Sequence, residues 1–167
     1  MNQRPPKNQS SDSSLAHLRV PPHSIEAEQS VLGGLMLAPE RLTDIAGWLS
    51  ESDFYRRDHA LIYRAICELA ETNQPCDAVT MGEWFESQGI AEFVGGSSYV
   101  MQLSNNTPSA ANIKRYAEAV SEKRALRDLL EASSQIAEVA TSDSESPASQ
   151  RIDEAQAIVF ALAERRA

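Results

Sequence analysis

The side chains able to do chemistry are few in this sequence, and their spacing does not suit it. The histidines are His17, His23 and His59, and the cysteines are Cys67 and Cys76. A structural or catalytic zinc needs several Cys, His or carboxylate ligands at short recurring spacings. Neither cysteine has a histidine or a second cysteine placed that way, so both read as reduced thiols of a cytosolic protein. Asp77 adjoins Cys76, but no base stands near to activate the thiol, which is therefore expected to be inert. Glu83 and Glu86 fall on one helix face as a solvated pair. A phosphate-cradling P-loop requires Gly-x-x-x-x-Gly-Lys-Ser/Thr, and no glycine here is followed by lysine. The sequence thus predicts no catalytic, cofactor-binding or metal-binding residue and no nucleotide hydrolysis by this chain.

What remains is packing, and the segment from Val20 to Met36 says most about it. Pro21 and Pro22 keep the backbone extended, and Ser24 is then placed to cap a helix whose first turns carry Glu26 and Glu28. Ile25, Val31, Leu32, Leu35 and Met36 recur at helical spacing. Gly33-Gly34 interrupts this helix at a propensity cost of roughly 1 kcal/mol per glycine. The pair is either a weak spot in a surface helix or a place where the backbone must lie against a neighbour. The second reading gives both glycines a reason.

Further helices are expected from Pro39 (Leu42, Ile45, Ala46, Leu49), after Asp58 (Leu61, Ile62, Ala65, Ile66, Leu69), at Thr80 through a capping box with Glu83, and after Gly95-Gly96 through Tyr99 to Leu103. Ser109 is expected to cap a long helix reaching about Ala140, and a polar connector, Thr141 to Ser149, leads into a last helix with Ile152, Ala155, Ile158, Val159 and Leu162. Trp48 and Trp84 read as packing residues. No strand-like alternation occurs, and no stretch approaches the ~20 apolar residues of a membrane span. The expected fold is all-α: a disordered tail over residues 1–20, a small globular helical domain over 21–108, and a long αα-hairpin over 109–167. The hairpin's apolar stripe either folds back on the core or forms a seam between chains.

Charge narrows the partners. Residues 21–108 hold four basic and thirteen acidic side chains, a net −9, while the tail is +2 and the hairpin −2. Nucleic-acid binding needs positive surface to displace counterions from phosphate. Little direct nucleic-acid contact is therefore expected, and a helix-turn-helix DNA reader is disfavoured. A protein partner with a basic surface fits better.

Several ordered blocks carry a family likeness. Val20 to Met36, Asp53-Phe54-Tyr55, Gly95-Gly96-Ser97-Ser98-Tyr99 and Asn106 to Ile113 resemble, in the same order, the N-terminal domain of the bacterial replicative DNA helicase DnaB family. The resemblance covers roughly residues 20 to 166, with Val100 standing where the family more often has leucine. It implies a bacterial cytoplasmic protein that pairs with copies of itself, as a dimer and as a trimer of dimers in a hexameric collar. It tips the hairpin towards the seam, at Ile113, Tyr116, Val120, Ile136, Val159 and Leu162. It also implies primase and an initiator protein as partners and carries a partner-binding role onto Glu26 and Tyr99. ATP and magnesium, and 5′-to-3′ unwinding, would belong to a C-terminal domain not contained in this sequence. A free-standing helical adaptor of the replication machinery is the alternative.

Overall fold

The computed structural model describes residues 20–166, so the tail, with His17, lies outside the described residues except for Val20. Among the described residues the regular structure is helical throughout: α1 (Ile25–Leu37), α2 (Leu42–Ile45), α3 (Arg57–Glu71), α4 (Ala78–Ser87), α5 (Gly96–Asn106), α6 (Ile113–Thr141) and α7 (Ala148–Arg166), with single 3-10 turns at Pro39–Arg41 and Glu51–Asp53. The chain divides into two compact units, one over His23–Leu126 and the other holding residues 20–22 and 127–166.

In the first unit α1 is the central element. Its cap is as expected: Ser24, in extended backbone, accepts the Ala27 N–H through its Oγ at 3.1 Å. Val31, Leu32 and Leu35 are fully buried, and α1 packs on α3 and α5. The glycine pair marks a close approach. A Cβ on Gly33 would stand 1.9 Å from Thr107 Oγ1 and 2.4 Å from the Leu103 carbonyl oxygen, and one on Gly34 would stand 3.2 Å from Ile113 Cδ1. Only glycine lets the α1 backbone lie so near the end of α5.

Two helix starts differ from the sequence expectation. Asp77, not Thr80, caps α4, its carboxylate accepting the Thr80 N–H at 2.8 Å. Thr80 is thus the residue being capped, because Asp77 offers the same acceptor three residues earlier. Ser109 Oγ accepts the Ala111 N–H at 3.0 Å, closing a local turn, and α6 begins only at Ile113. The segment from Pro39 likewise breaks into a 3-10 turn and the four-residue α2, although Leu42, Ile45 and Leu49 are buried as the stripe predicted.

The first half of α6 belongs to the globular unit. Ile113 and Val120, expected on a seam between chains, are 2% and 1% exposed and lie in this unit's own core with Ala117. A side chain enclosed by its own chain does not reach another, so these two are core residues. Tyr116 is half-buried against the same core.

In the second unit, the remainder of α6 and α7 form the hairpin arms, with Ala132 buried. Arg151 fixes the tip. Its Nη1 donates to the Val139 and Ala140 carbonyls at 3.2 and 3.1 Å, its Nη2 to the Ser142 carbonyl at 3.0 Å, and its Nε to the Ser146 carbonyl at 3.1 Å. One guanidinium, which has five donors, thereby satisfies helix-end carbonyls that have no partner within α6. The outer side of α7 is apolar and uncovered, with Ile152 58%, Val159 52% and Phe160 65% exposed.

Candidate functional site

Within the globular unit, a cleft of about 260 Å³ opens between α1, α5 and the first turns of α6, lined by Glu26, Gln29, Tyr99, Gln102, Asn106 and Tyr116 among others. The two residues singled out for partner binding, Glu26 and Tyr99, are 73 positions apart in sequence, yet both face this one concavity. Glu26 is exposed in the first turn of α1, and Tyr99 is half-buried in the first turn of α5. Tyr116, expected on the hairpin seam, also lines this cleft.

Behind the cleft runs a buried polar relay that the sequence reading did not anticipate. Glu28, 1% exposed, receives the Tyr55 N–H on Oε2 at 2.9 Å, and the Arg56 N–H on Oε1 at 3.3 Å. Tyr55 and Arg56 lead directly into α3, whose N-cap residue, Arg56, makes no side-chain cap. A carboxylate from α1 thus ties down the entry to α3, at the positive end of its dipole. Its Oε1 also meets His59 Nδ1 at 2.9 Å, and His59 Nε2 meets the Tyr99 hydroxyl at 2.7 Å.

The donor order follows from the groups themselves. A carboxylate only accepts, so Nδ1 donates to Glu28, and in the neutral ring Nε2 then accepts from the Tyr99 hydroxyl. Gln29 Nε2 donates to that same hydroxyl at 3.3 Å. The His59 and Tyr99 rings lie within 5° of parallel, and the Arg56 guanidinium stands 5.5 Å from the Tyr99 centroid while paired with Asp58. Tyr99 is therefore held from several sides, a rigid post at the cleft wall.

The other sequence candidates fall elsewhere. His59 lies in the first turn of α3 and is fully buried. His23 stacks on Tyr55 at 4.2 Å. Trp48 is 42% exposed, and Trp84 Nε1 donates to Glu68. Burial pushes both the Cys67 and the Cys76 thiol up, away from the reactive thiolate. Among the described residues no group of three or more His, Cys, Asp or Glu is gathered so as to hold a metal ion. In the hairpin unit Ile136 and Leu162 are half-buried, and Val159 is exposed.

Glu28 and His59 left a trace in the sequence. Glu28 falls on the stripe of Val31, Leu32 and Leu35, and His59 on that of Ile62, Tyr63 and Ile66. A charged or polar residue on an apolar stripe signals a buried pair.

Known proteins give the arrangement its context. Residues 20–122 match the family model described as the DnaB-like helicase N-terminal domain. The chain is 43% identical over 165 residues to the replicative DNA helicase DnaB of Haemophilus influenzae, and 37% identical over 149 residues to that of Mycobacterium leprae. These alignments cover 96% and 89% of this chain but 34% and 25% of those proteins, so the chain spans about a third or less of their length. Among solved structures, the N-terminal domain of DnaB helicase from Mycobacterium tuberculosis superposes with a TM-score of 0.78 at 35% identity, covering 86% of this chain and 99% of that one. A DnaB-like replicative helicase, described with its interactions with primase, shares the fold at a TM-score of 0.65 and 24% identity, covering 81% of this chain and 31% of that one.

Proposed function

The chain belongs to the DnaB-like helicase N-terminal domain family, and from that premise we propose that it is a non-catalytic assembly and docking module of a replicative DNA helicase. ATP-driven 5′-to-3′ unwinding resides in the helicase's motor domain, outside this sequence. The hairpins pair copies of the chain into dimers, three of which build the collar of the hexamer, and the globular unit receives primase and an initiator protein.

One observation supports the assembly role above the others: the outer face of α7. Ile152, Val159 and Phe160 are each more than half exposed along a single helix, and Ala155 and Ala163 line the same strip. A soluble chain seldom leaves such a contiguous apolar strip uncovered unless a partner covers it. Docking is supported by the convergence of Glu26 and Tyr99 on one cleft and by the rigid backing of Tyr99. Light scattering across concentration tests assembly. The 167-residue chain is expected at dimer mass or above, and Val159→Glu at monomer mass with its helical circular dichroism retained. An assembly unmoved by that charge rules out the α7 seam. Docking is tested by capture of purified primase on the immobilised chain, which Tyr99→Ala should abolish.

A further inference from the structure

We propose that the cleft beside Tyr99 is a receptor for a guanidinium, offered by an arginine in an extended segment of a basic partner protein. This rests on the docking reading and names the chemistry of what docks. The first ground is charge. Among the residues that line the cleft, Glu26 is the one charged side chain, and no lysine, arginine or histidine is present. The segment around it, 21–108, carries a net −9. A phosphate or carboxylate entering here would meet Glu26 with no cation to receive it.

The second ground is the donor and acceptor inventory. A guanidinium presents five N–H donors in a flat fork and accepts nothing. The cleft offers the Glu26 carboxylate and the side-chain carbonyls of Gln29, Gln102 and Asn106. Gln29 spends its amide nitrogen on the Tyr99 hydroxyl, which directs its oxygen to the remaining acceptor role. An ammonium has only three donors and no plane to stack.

The third ground is shape. Two phenol rings, Tyr99 and Tyr116, line the cleft, and guanidinium planes stack on such rings. Tyr99 already carries one: Arg56 lies over its ring, outside the cleft lining, with its charge offset by Asp58. At about 260 Å³ the cleft suits a single long side chain rather than a helix. The Glu28–His59 relay fixes Tyr99 beforehand, so binding need not order it.

The test is a nuclear magnetic resonance titration of the 15N-labelled chain with Nα-acetyl-arginine methylamide. Its controls are the citrulline analogue, which keeps the shape and loses the charge, and a short oligothymidylate. Saturable shifts are expected at the backbone amides of Ser30, Gln102 and Asn106, weaker shifts with the lysine analogue, and none with citrulline. Glu26→Gln, an exposed substitution that leaves the fold intact, should weaken the arginine response about two- to five-fold, the range of a partly solvated ion pair. An equal response to citrulline, a response indifferent to Glu26→Gln, or shifts confined to other acidic surfaces would overturn the proposal. So would the oligonucleotide moving the same three amides. Primase capture without an arginine response refutes this inference and spares the docking reading, whereas an arginine response without primase capture does the reverse.

Discussion

Adding one methyl group to α1 should have unequal consequences at two adjacent positions. Gly33→Ala and Gly34→Ala both gain roughly 1 kcal/mol of helix propensity, so that contribution cancels when the two variants are compared. Their surroundings differ. The new Cβ at 33 would lie 1.9 Å from Thr107 Oγ1, 2.9 Å from Thr107 Cβ and 2.4 Å from the Leu103 carbonyl oxygen. Rotating Thr107 relieves the first contact only by giving up its hydrogen bond to that same Leu103 oxygen, 2.8 Å long. The Leu103 carbonyl oxygen is backbone and cannot turn away, so α5 must withdraw by about 1 Å, a gap that forfeits a quarter to a half of the dispersion well at each contact. At 34 the nearest atom is Ile113 Cδ1 at 3.2 Å, the free end of a flexible side chain that needs to yield only a few tenths of an ångström. Overpacking of the first kind costs about 1–3 kcal/mol or more. Gly33→Ala should therefore be about 2–3 kcal/mol less stable than Gly34→Ala, which itself stays near the parent. Urea unfolding followed by far-ultraviolet circular dichroism would separate their midpoints by about 1–2 M at unchanged slope. Midpoints that agree within the scatter of the measurement would refute the close-approach account of the glycine pair.

Two further predictions concern charged groups. Glu28→Gln keeps one acceptor oxygen but turns a donor towards the Tyr55, Arg56 or His59 N–H groups, so it should cost about 2–4 kcal/mol. The exposed Glu26→Gln should stay within about 0.5 kcal/mol of the parent, and equal stabilities of these two variants in urea would show that the α3 start does not depend on Glu28. The Asp77 carboxyl is held below the usual aspartate range, first by the Thr80 backbone N–H. A depressed folded value means that its stabilisation is complete above the ordinary aspartate range and fades as pH falls through the lowered value. Asp77→Ala should thus lower the urea midpoint at neutral pH, and the two proteins should converge in strong acid. A gap of constant size across that range would rule out the charged cap.

The helices were legible because each buries a stripe, and a stripe is a local signal. What the stripe does not say is which surface buries it. The α6 pattern of Ile113, Tyr116 and Val120 was compatible with a seam between chains, and the structure spends it on the globular core and the cleft wall. Capping was ambiguous for a similar reason, since Asp77 and Thr80 both offer an acceptor at helix-start spacing and only the start of α4 distinguishes them. Glu28, placed in the first turns of α1, suits the dipole of its own helix. Its partners lie 27 to 31 residues further along the chain, and no local rule links them.

These particulars bear on function because they meet on one helix. Gly33 sets how closely α1 approaches α5, which carries Tyr99, and Glu28 ties α1 to the start of α3, which carries His59. Glu26 and Gln29 project from that same helix into the cleft. A loop bearing Glu26 would have to be ordered each time a partner bound. A helix fixed both by close packing and by a buried carboxylate has met that ordering cost on folding. The relay and the glycine contact therefore fix the shape of the cleft on which the proposed docking rests. Substitutions at Gly33 or Glu28 that leave the chain folded should still loosen the geometry of Glu26 against Tyr99, and so weaken docking without touching any residue that docks.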